Sequence, residues 1–396
     1  MAHPLHFVST EAIKEALQNN DPSLAVAKIQ ELLERENNIP LNIGITGESG
    51  SGKSTFVNAF RGIDNMDEGA APTDCDETTM EVTPYPHPNY PNVLLWDLPG
   101  IGTPDFPADK YLERVEFKRF DFFIIISDTR FRENDVKLAH EIKKMEKKFY
   151  FVRSKIDIDL QNQERSQREF NKERTLSKLR GNCIQGLQKA GVVSPQVFLV
   201  SSFDLQLYDF ALLGETLERE LPEHKKNALL LAMPNISPEV INKKKKAFYD
   251  QIQYWATASG AVAAVPVPGL SITVDVGLLV GVVTQYVLGF GLDIPSLKRL
   301  SDRTNVPFDD LIAVIISQLA ATEITSDLLL KVIGQQSGSA LLMAAEEVSR
   351  FIPILGIPVA MTLSFKSTYN ILKIILNMLA EDAQSVFKRA LGLNSL

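Results

Sequence analysis

Basic charge is in short supply in this 396-residue chain. Its 41 Lys and Arg residues are outnumbered by 49 Asp and Glu, which leaves a formal net charge of −8 at pH 7. Because nucleic-acid backbones bind to basic surfaces, this balance argues against a nucleic-acid partner. The lysine run at 243–246 is a local exception, and adjacent lysines more often form a solvated helix face.

Cysteine is also scarce, since Cys75 and Cys183 are the only two. Two distant cysteines in a chain of this size indicate reduced cytosolic thiols rather than a disulfide framework. The first residues lack a basic stretch followed by an apolar core, so no secretory signal is expected. Ala2 stands where N-myristoylation needs glycine, so we expect no lipid anchor there. These absences favour a folded cytoplasmic protein.

Short apolar runs separated by helical patterns begin at residue 41. They are apolar throughout, as expected for parallel strands covered on both faces, and they predict an α/β fold with a mostly parallel sheet. The runs are residues 41–46, 92–97, 121–127, 149–153 and 196–201, and the helical patterns include 135–148 and 168–190. Residues 80–85 alternate instead, which predicts an antiparallel edge strand.

Helical patterns dominate on both sides of this region. Thr10 and Asp21 are predicted helix N-caps, the second followed by a first-turn proline. Strand signals fade after residue 221. We therefore predict an N-terminal helical segment at 1–38, the α/β domain at 39–222 and a C-terminal helical domain at 223–396, with the two helical segments together forming one all-α domain.

Two helical stretches leave open whether they meet a membrane. Residues 255–292 contain Asp275 as their only charge and are broken by Pro266, Pro268 and Gly269. Buried core helices are the favoured interpretation and a membrane-inserting hairpin is the alternative. Residues 370–391 are amphipathic, which suits packing within the helical domain or lying on a membrane surface.

A phosphate-binding loop follows the first predicted strand. The pattern G-x-x-x-x-G-K-[ST] is matched by Gly47-Glu48-Ser49-Gly50-Ser51-Gly52-Lys53-Ser54, after which Thr55 opens a helical stretch. Glycines let backbone N–H groups turn toward phosphates, and the helix N-terminus adds positive partial charge beneath them. Lys53 is expected to reach the β- and γ-phosphates, and the Ser54 hydroxyl to coordinate Mg²⁺.

A second element, Asp97-Leu98-Pro99-Gly100, ends the predicted strand at 92–97. The Asp97 carboxylate can hold Mg²⁺ through water, and the Gly100 N–H can meet the γ-phosphate. Between the two elements lies the polar stretch 69–80, which contains Thr73, Glu77, Thr78 and Thr79. GTPases use a threonine in such a stretch to complete the Mg²⁺ shell and sense the γ-phosphate.

A third element, Ser154-Lys155-Ile156-Asp157, directly follows the strand predicted at 149–153. Asp157 could accept hydrogen bonds from N1 and N2 of guanine, which adenine cannot supply, and Lys155 could lie over the base. The element resembles the N/T-K-x-D sequence of GTPases, with serine first. Ser201-Ser202 fits the last loop that approaches the base.

With these elements in order, the chain resembles the interferon-inducible immunity-related GTPases. The residues that carry the resemblance, besides the loop at 47–54, are Phe56-Val57-Asn58, Arg61-Gly62, 96–102, Tyr111-Leu112-Glu113, 122–126, Thr129-Arg130-Phe131 and 149–157. The resemblance implies a Ras-like P-loop nucleotide-binding (G) domain beside a helical domain. Lys53 corresponds to the lysine of the family's effector members. The resemblance also implies that Thr79 is the switch threonine and a metal ligand, and that Glu77 activates water within a dimer.

Ile101 departs from Ras-type enzymes, which place a water-orienting glutamine after this glycine. Hydrolysis by an isolated monomer should therefore be slow. The resemblance implies homodimers or homo-oligomers whose G domains face one another across GTP. It also implies peripheral association with endomembranes or pathogen-containing vacuoles in innate, cell-autonomous defence. The alternative is a nucleotide-gated membrane or partner-binding scaffold with negligible hydrolysis.

Overall fold

A computed structural model describes residues 12–19, 21–73, 81–101, 111, 115–128, 133–263, 270–335 and 362–392. The chain divides into two compact units, Pro40–Ile236 and the combination of Met1–Ile39 with Ser237–Leu396. We call them the sheet unit and the helical unit.

Strands and helices alternate along the sheet unit, and the described elements of the helical unit are helices. The strands are β1 Leu41–Gly47, β2 Thr83–Pro86, β3 Val93–Asp97, β4 Phe122–Ser127, β5 Lys148–Arg153 and β6 Val197–Leu199. The α-helices with described bounds, besides residues 12–18, are α1 Pro22–Asn37, α2 Lys53–Phe60, α3 Glu133–Lys144, α4 Ile156–Ser166, α5 Lys172–Lys189, α6 Phe210–Glu220, α7 Glu223–Ala232, α8 Pro238–Ala263, α9 Leu270–Gly289, α10 Ile294–Thr304, α11 Phe308–Ile312, α12 Ser326–Gln335 and α13 Thr362–Ala390.

The sheet has the order β2-β3-β1-β4-β5-β6, with β2 antiparallel to β3 and every other pairing parallel. The predicted mostly parallel α/β sheet and its antiparallel edge strand are therefore confirmed. Every residue of β4 is buried, as the continuous apolar pattern predicted. Because parallel strands share a direction, β1, β3, β4, β5 and β6 all end at the same edge of the sheet.

One helix of the sheet unit was missed. The sequence indicated a helix over 168–190, whereas α5 spans Lys172–Lys189 and a separate helix, α4, begins at Ile156. Lys155, in a left-handed conformation with φ 56°, turns the chain directly from β5 into α4. Few apolar residues repeat along α4, since it buries only Ile156 and Leu160, and this explains why periodicity did not reveal it.

The sheet unit extends further than the boundary placed at residue 222. Its last helix, α7, packs against β1 and β3, and Lys225 forms an ion pair with Asp121 at 2.6 Å. The helical character of residues 223–232 pointed to the helical domain, whereas their apolar side chains cover the sheet. The boundary between the units therefore lies at 236–237.

Two long helices, α8 and α13, pack along each other in the helical unit, where a helical domain of N- and C-terminal segments was predicted. Tyr249 and Tyr369 join them through a hydroxyl contact of 2.9 Å, and the Ser259 and Thr368 hydroxyls lie 2.8 Å apart. The amphipathic stretch predicted at 370–391 belongs to α13, which begins earlier, at Thr362. It buries apolar residues such as Leu372 and Leu379, so it packs within its unit.

The apolar stretch at 255–292 is partly accounted for by this packing. Residues 277–304 are long and apolar enough to cross a membrane, and 44% of their most apolar window is buried. The helix is interrupted there, however, because α9 ends at Gly289 and α10 begins at Ile294. Val282, Tyr286 and Phe290 are core residues of the unit, which supports the core interpretation for this part. The breaking residues Pro266, Pro268 and Gly269 lie outside the described residues.

Candidate nucleotide-binding site

The predicted phosphate loop connects the end of β1 to the start of α2. Gly47 has φ 145°, and a Cβ there would lie 2.1 Å from the Ile126 carbonyl oxygen. Gly52, at φ 91°, is left-handed and forms the N-cap of α2. Only glycine satisfies both positions without strain. The loop therefore bends tightly at the helix N-terminus, where unpaired backbone N–H groups attract anions.

Lys53 and Ser54 occupy the first turn of α2, with Thr55 half-buried behind them. The Lys53 ammonium curls back under the loop and donates to the Glu48 carbonyl oxygen at 3.0 Å. The Ser54 Oγ donates to Asp97 Oδ2 at 2.5 Å. A cation and a hydroxyl–carboxylate pair thus stand side by side at the carboxyl ends of β1 and β3.

The turn after β3 lies against the phosphate loop. A Cβ at Gly100 would come within 2.9 Å of the Ser49 backbone nitrogen, so glycine permits the close approach. Tyr111, fully buried, holds the turn in place by donating to the Pro99 carbonyl oxygen at 2.8 Å and lying 2.7 Å from the Thr46 Oγ1. Burial raises the pKa of the Tyr111 phenol, so it stays protonated. Tyr111 was among the residues that carry the family resemblance, but no local sequence pattern assigned it to the site.

The Ser54–Asp97 pair suits Mg²⁺. Magnesium prefers oxygen ligands and is usually held by one or two carboxylates together with substrate phosphates, rather than by an all-protein cage. Within the described ranges, no group of three or more His, Cys, Asp or Glu side chains could hold a metal by itself. A hydroxyl and one carboxylate at a phosphate loop therefore fit the ion. Glu77 and Thr79, predicted to complete this end of the site, lie outside the described residues.

The third element is tied directly to the phosphate loop. Ser154, buried after β5, donates through Oγ to the Ser51 carbonyl oxygen at 2.7 Å and lies 3.3 Å from that of Ser127. Lys155 Nζ donates to the Gly50 carbonyl oxygen at 2.7 Å and pairs with Asp128 at 3.0 Å. Asp128 was not predicted, although its place directly after β4 was a usable signal. The serine therefore connects the loops across which a nucleotide would lie.

Asp157 lies half-buried in the first turn of α4. Among the described residues its carboxylate has no hydrogen-bond partner, so both oxygens can accept from a ligand. The N–H of the preceding residue, Ile156, donates to the Val200 carbonyl oxygen at 3.3 Å, at the end of β6. The carboxylate thus stands beside the loop that follows β6.

That loop contains Ser201 and Ser202. The Ser201 hydroxyl is fully buried and accepts from the backbone N–H groups of Phe203 and Asp204, both at 3.3 Å. It therefore shapes the loop, while Ser202 stays half-buried beside it. The predicted site residues that meet at this sheet edge are Gly47, Glu48, Ser49, Gly50, Ser51, Gly52, Lys53, Ser54, Thr55, Asp97, Gly100, Ser154, Lys155, Asp157, Ser201 and Ser202.

Comparison with known proteins agrees with this geometry. The family model described as Interferon-inducible GTPase (IIGP) matches residues 8–390. Interferon-inducible GTPase 5 is 42% identical in Rattus norvegicus and 43% in Bos taurus, each over 96% of this chain and 82% of the relative. Interferon-gamma-inducible GTPase 10 of Mus musculus is 35% identical over 96% of this chain and 88% of its own length. The chain therefore belongs to the interferon-inducible GTPase family and is a GTP-binding, GTP-hydrolysing protein.

Proposed function

We propose that this protein assembles through its G domains when GTP is bound, hydrolyses GTP with Mg²⁺ in that assembly, and acts at intracellular membranes in innate, cell-autonomous defence. One observation carries the nucleotide part of the proposal. Ser154 and Lys155 tie the phosphate loop, beside which Ser54 meets Asp97, to the chain segment that continues into Asp157.

Each group has a chemical task in this proposal. Backbone N–H groups of the loop and the Lys53 ammonium bind the β- and γ-phosphates, and the Gly100 N–H meets the γ-phosphate. Ser54, Asp97 and Thr79 hold Mg²⁺, which neutralises charge on the phosphates when bound. Asp157 accepts hydrogen bonds from N1 and N2 of guanine.

Ile101 supports the dependence of hydrolysis on assembly. Its side chain is buried in the apolar core of the sheet unit and has no acceptor that could orient water. Losing an oriented water lowers the rate through lost positioning. Glu77, in the stretch before β2, is the candidate that activates water once a second G domain faces the first.

The test is GTP turnover per molecule measured across a range of protein concentrations with Mg²⁺ present. We expect turnover to rise with concentration, and we expect Lys53→Ala to stay near zero throughout. A basal rate that does not change with concentration would contradict assembly-coupled hydrolysis.

The buried Ile101 also leaves a second candidate, a nucleotide-gated scaffold whose hydrolysis is too slow to matter for its assembly. Turnover and GTP-dependent oligomerisation of the parent, Lys53→Ala and Glu77→Ala distinguish the two. The scaffold gains support if the parent oligomerises with GTP while its turnover stays at a negligible basal rate that Glu77→Ala does not change.

We further propose a cytoplasmic protein that associates peripherally with endomembranes or pathogen-containing vacuoles. Its support is family membership and the interferon-inducible relatives. Flotation of the intact chain with phosphatidylcholine–phosphatidylserine vesicles, with and without GTP, tests this. Recovery only in the dense fractions under both conditions would contradict it.

A further inference from the structure

One aromatic side chain in the sheet unit is exposed beside the proposed base-binding loops. Phe203 directly follows Ser201-Ser202 and is 59% exposed. Its neighbours along the chain, Phe198 and Phe210, are buried in the core. Exposing an aromatic ring forgoes the free energy of its burial, and a ligand bound against the ring would recover it.

The backbone that carries Phe203 is held in place. The buried Ser201 Oγ accepts from the N–H groups of Phe203 and Asp204, and the Leu207 N–H donates to the Asp204 carbonyl oxygen at 3.0 Å. The loop returns to the sheet at Asp209, whose carboxylate accepts from the Leu199 N–H at 2.7 Å. A ring on a fixed loop loses little conformational entropy when a ligand covers it.

The strand order places this ring on the far side of Asp157 from Lys155. Lys155 follows β5 and leans toward the loops after β1 and β4, where it contacts Gly50 and Asp128. Phe203 follows β6, the neighbour of β5 on the opposite side. The Ile156 N–H, next to Asp157, donates to the Val200 carbonyl oxygen at 3.3 Å, which ties the start of α4 to the loop that carries Phe203. Lys155 and the Phe203 loop therefore flank the Asp157 element on opposite sides.

We propose that Phe203 stacks on the guanine ring of the bound nucleotide, forming the wall opposite Lys155. The inference rests on the proposed guanine site at Asp157. A purine offers a π-face to an aromatic ring on one side and to an ammonium on the other. Asp157 then reads the edge of the base, whereas Phe203 holds its face and contributes affinity without discrimination.

Stacking on the base contributes the same free energy in the ground state and in the transition state, because the reaction takes place at the phosphates. Its loss therefore raises KM and leaves kcat unchanged. Loss of the stacking also weakens the binding of GDP and of inosine diphosphate by the same factor, because the two bases differ only at the edge. These two signatures separate a face contact from edge recognition.

The experiment compares Phe203→Ala, Phe203→Trp and a control, Val193→Ala, in the full chain. Val193 is 82% exposed in the turn before β6, at the opposite end of that strand. We expect Phe203→Ala to weaken GDP binding about 10-fold, the size that loss of base–aromatic stacking gives. Phe203→Trp should retain affinity for GDP, and GDP should quench the tryptophan fluorescence that this variant has in excess of the parent. Val193→Ala should bind GDP as the parent does.

Two results would overturn the stacking. One is that a folded Phe203→Ala variant binds GDP as tightly as the parent and that GDP does not change the fluorescence of Phe203→Trp. The other is unchanged affinity with loss of concentration-dependent turnover, which would assign Phe203 to a contact between protein chains. A parent chain that binds no GDP would instead refute the guanine site itself.

Discussion

Ser154 shows how a single hydroxyl joins two halves of the site. Its Oγ donates to the Ser51 carbonyl oxygen in the phosphate loop, although the two residues are far apart in the chain. We expect Ser154→Ala to weaken GDP binding about fivefold, because a buried hydrogen bond of this kind contributes ~1 kcal/mol. Ser154→Thr keeps a hydroxyl and should bind nearly as the parent does. Calorimetric titration of GDP in the presence of Mg²⁺ measures both.

Ser166→Ala is the matched control. The Ser166 hydroxyl donates to the Gln163 carbonyl oxygen at 3.1 Å on the exposed end of α4, away from the loops. Its loss should leave GDP affinity unchanged. Equal losses in both alanine variants would show that the Ser154 contact has no specific role.

Tyr111 acts on the turn that carries Gly100. Tyr111→Phe removes the hydroxyl that joins Thr46 to Pro99 and leaves the ring packed. We expect a non-hydrolysable GTP analogue to bind two- to tenfold more weakly, with a smaller loss for GDP, because the contact proposed for the Gly100 N–H is with the γ-phosphate, which GDP lacks. The ratio of the two dissociation constants measures this. A uniform loss for both nucleotides would contradict it.

At the scale of elements, a buried lysine joins two helices of the helical unit. Lys244 on α8 donates to the Gly289 carbonyl oxygen at the end of α9, at 2.9 Å, and burial lowers its pKa to about 7. Above that pH the folded chain releases a proton that the unfolded chain retains up to the ordinary value of 10.5. The free energy of unfolding should therefore rise between pH 7 and 9 through this group.

Urea denaturation at pH 7 and pH 9 checks this expectation. Lys244→Met should remove the contribution to the pH slope, and Lys246→Met, an exposed lysine on the same helix, should retain it. Burial raises the pKa of Tyr286 on α9, so this phenol stays protonated throughout the window. The same slope in both variants would contradict the assignment to Lys244.

At the scale of the whole molecule, the two tryptophans fall in different compact units. Trp96 is on β3 in the sheet unit, and Trp255 is on α8 in the helical unit. In a Trp255→Phe variant, the fluorescence of Trp96 follows the sheet unit alone. GDP at 100 times its dissociation constant should raise that unit's free energy of unfolding by about 2.7 kcal/mol. Adding Lys53→Ala should abolish the increase, and an increase that persists would contradict the proposed phosphate site.

Local patterns were sufficient to place the Gly47–Ser54 loop, the Asp97–Gly100 turn and the Asp157 element at the ends of their strands. Phosphate binding requires glycines with unusual φ and a helix N-terminus, and these requirements fall on consecutive residues. Buried parallel strands likewise appear as continuous apolar runs. The sequence therefore determined the sheet, the order of its elements and the positions of most described site residues.

Contacts between distant segments were decided by the tertiary structure. The Tyr111 link between β1 and the Pro99 turn, the Ser154 contact with Ser51 and the packing of α7 on the sheet each join residues that no local pattern connects. The hydrogen bonds that the Ser201 hydroxyl accepts and the exposure of the Phe203 ring were likewise visible only in the folded structure. The periodicity of apolar residues indicates which face of a helix or strand is apolar. Which segment packs against that face depends on how the whole chain folds.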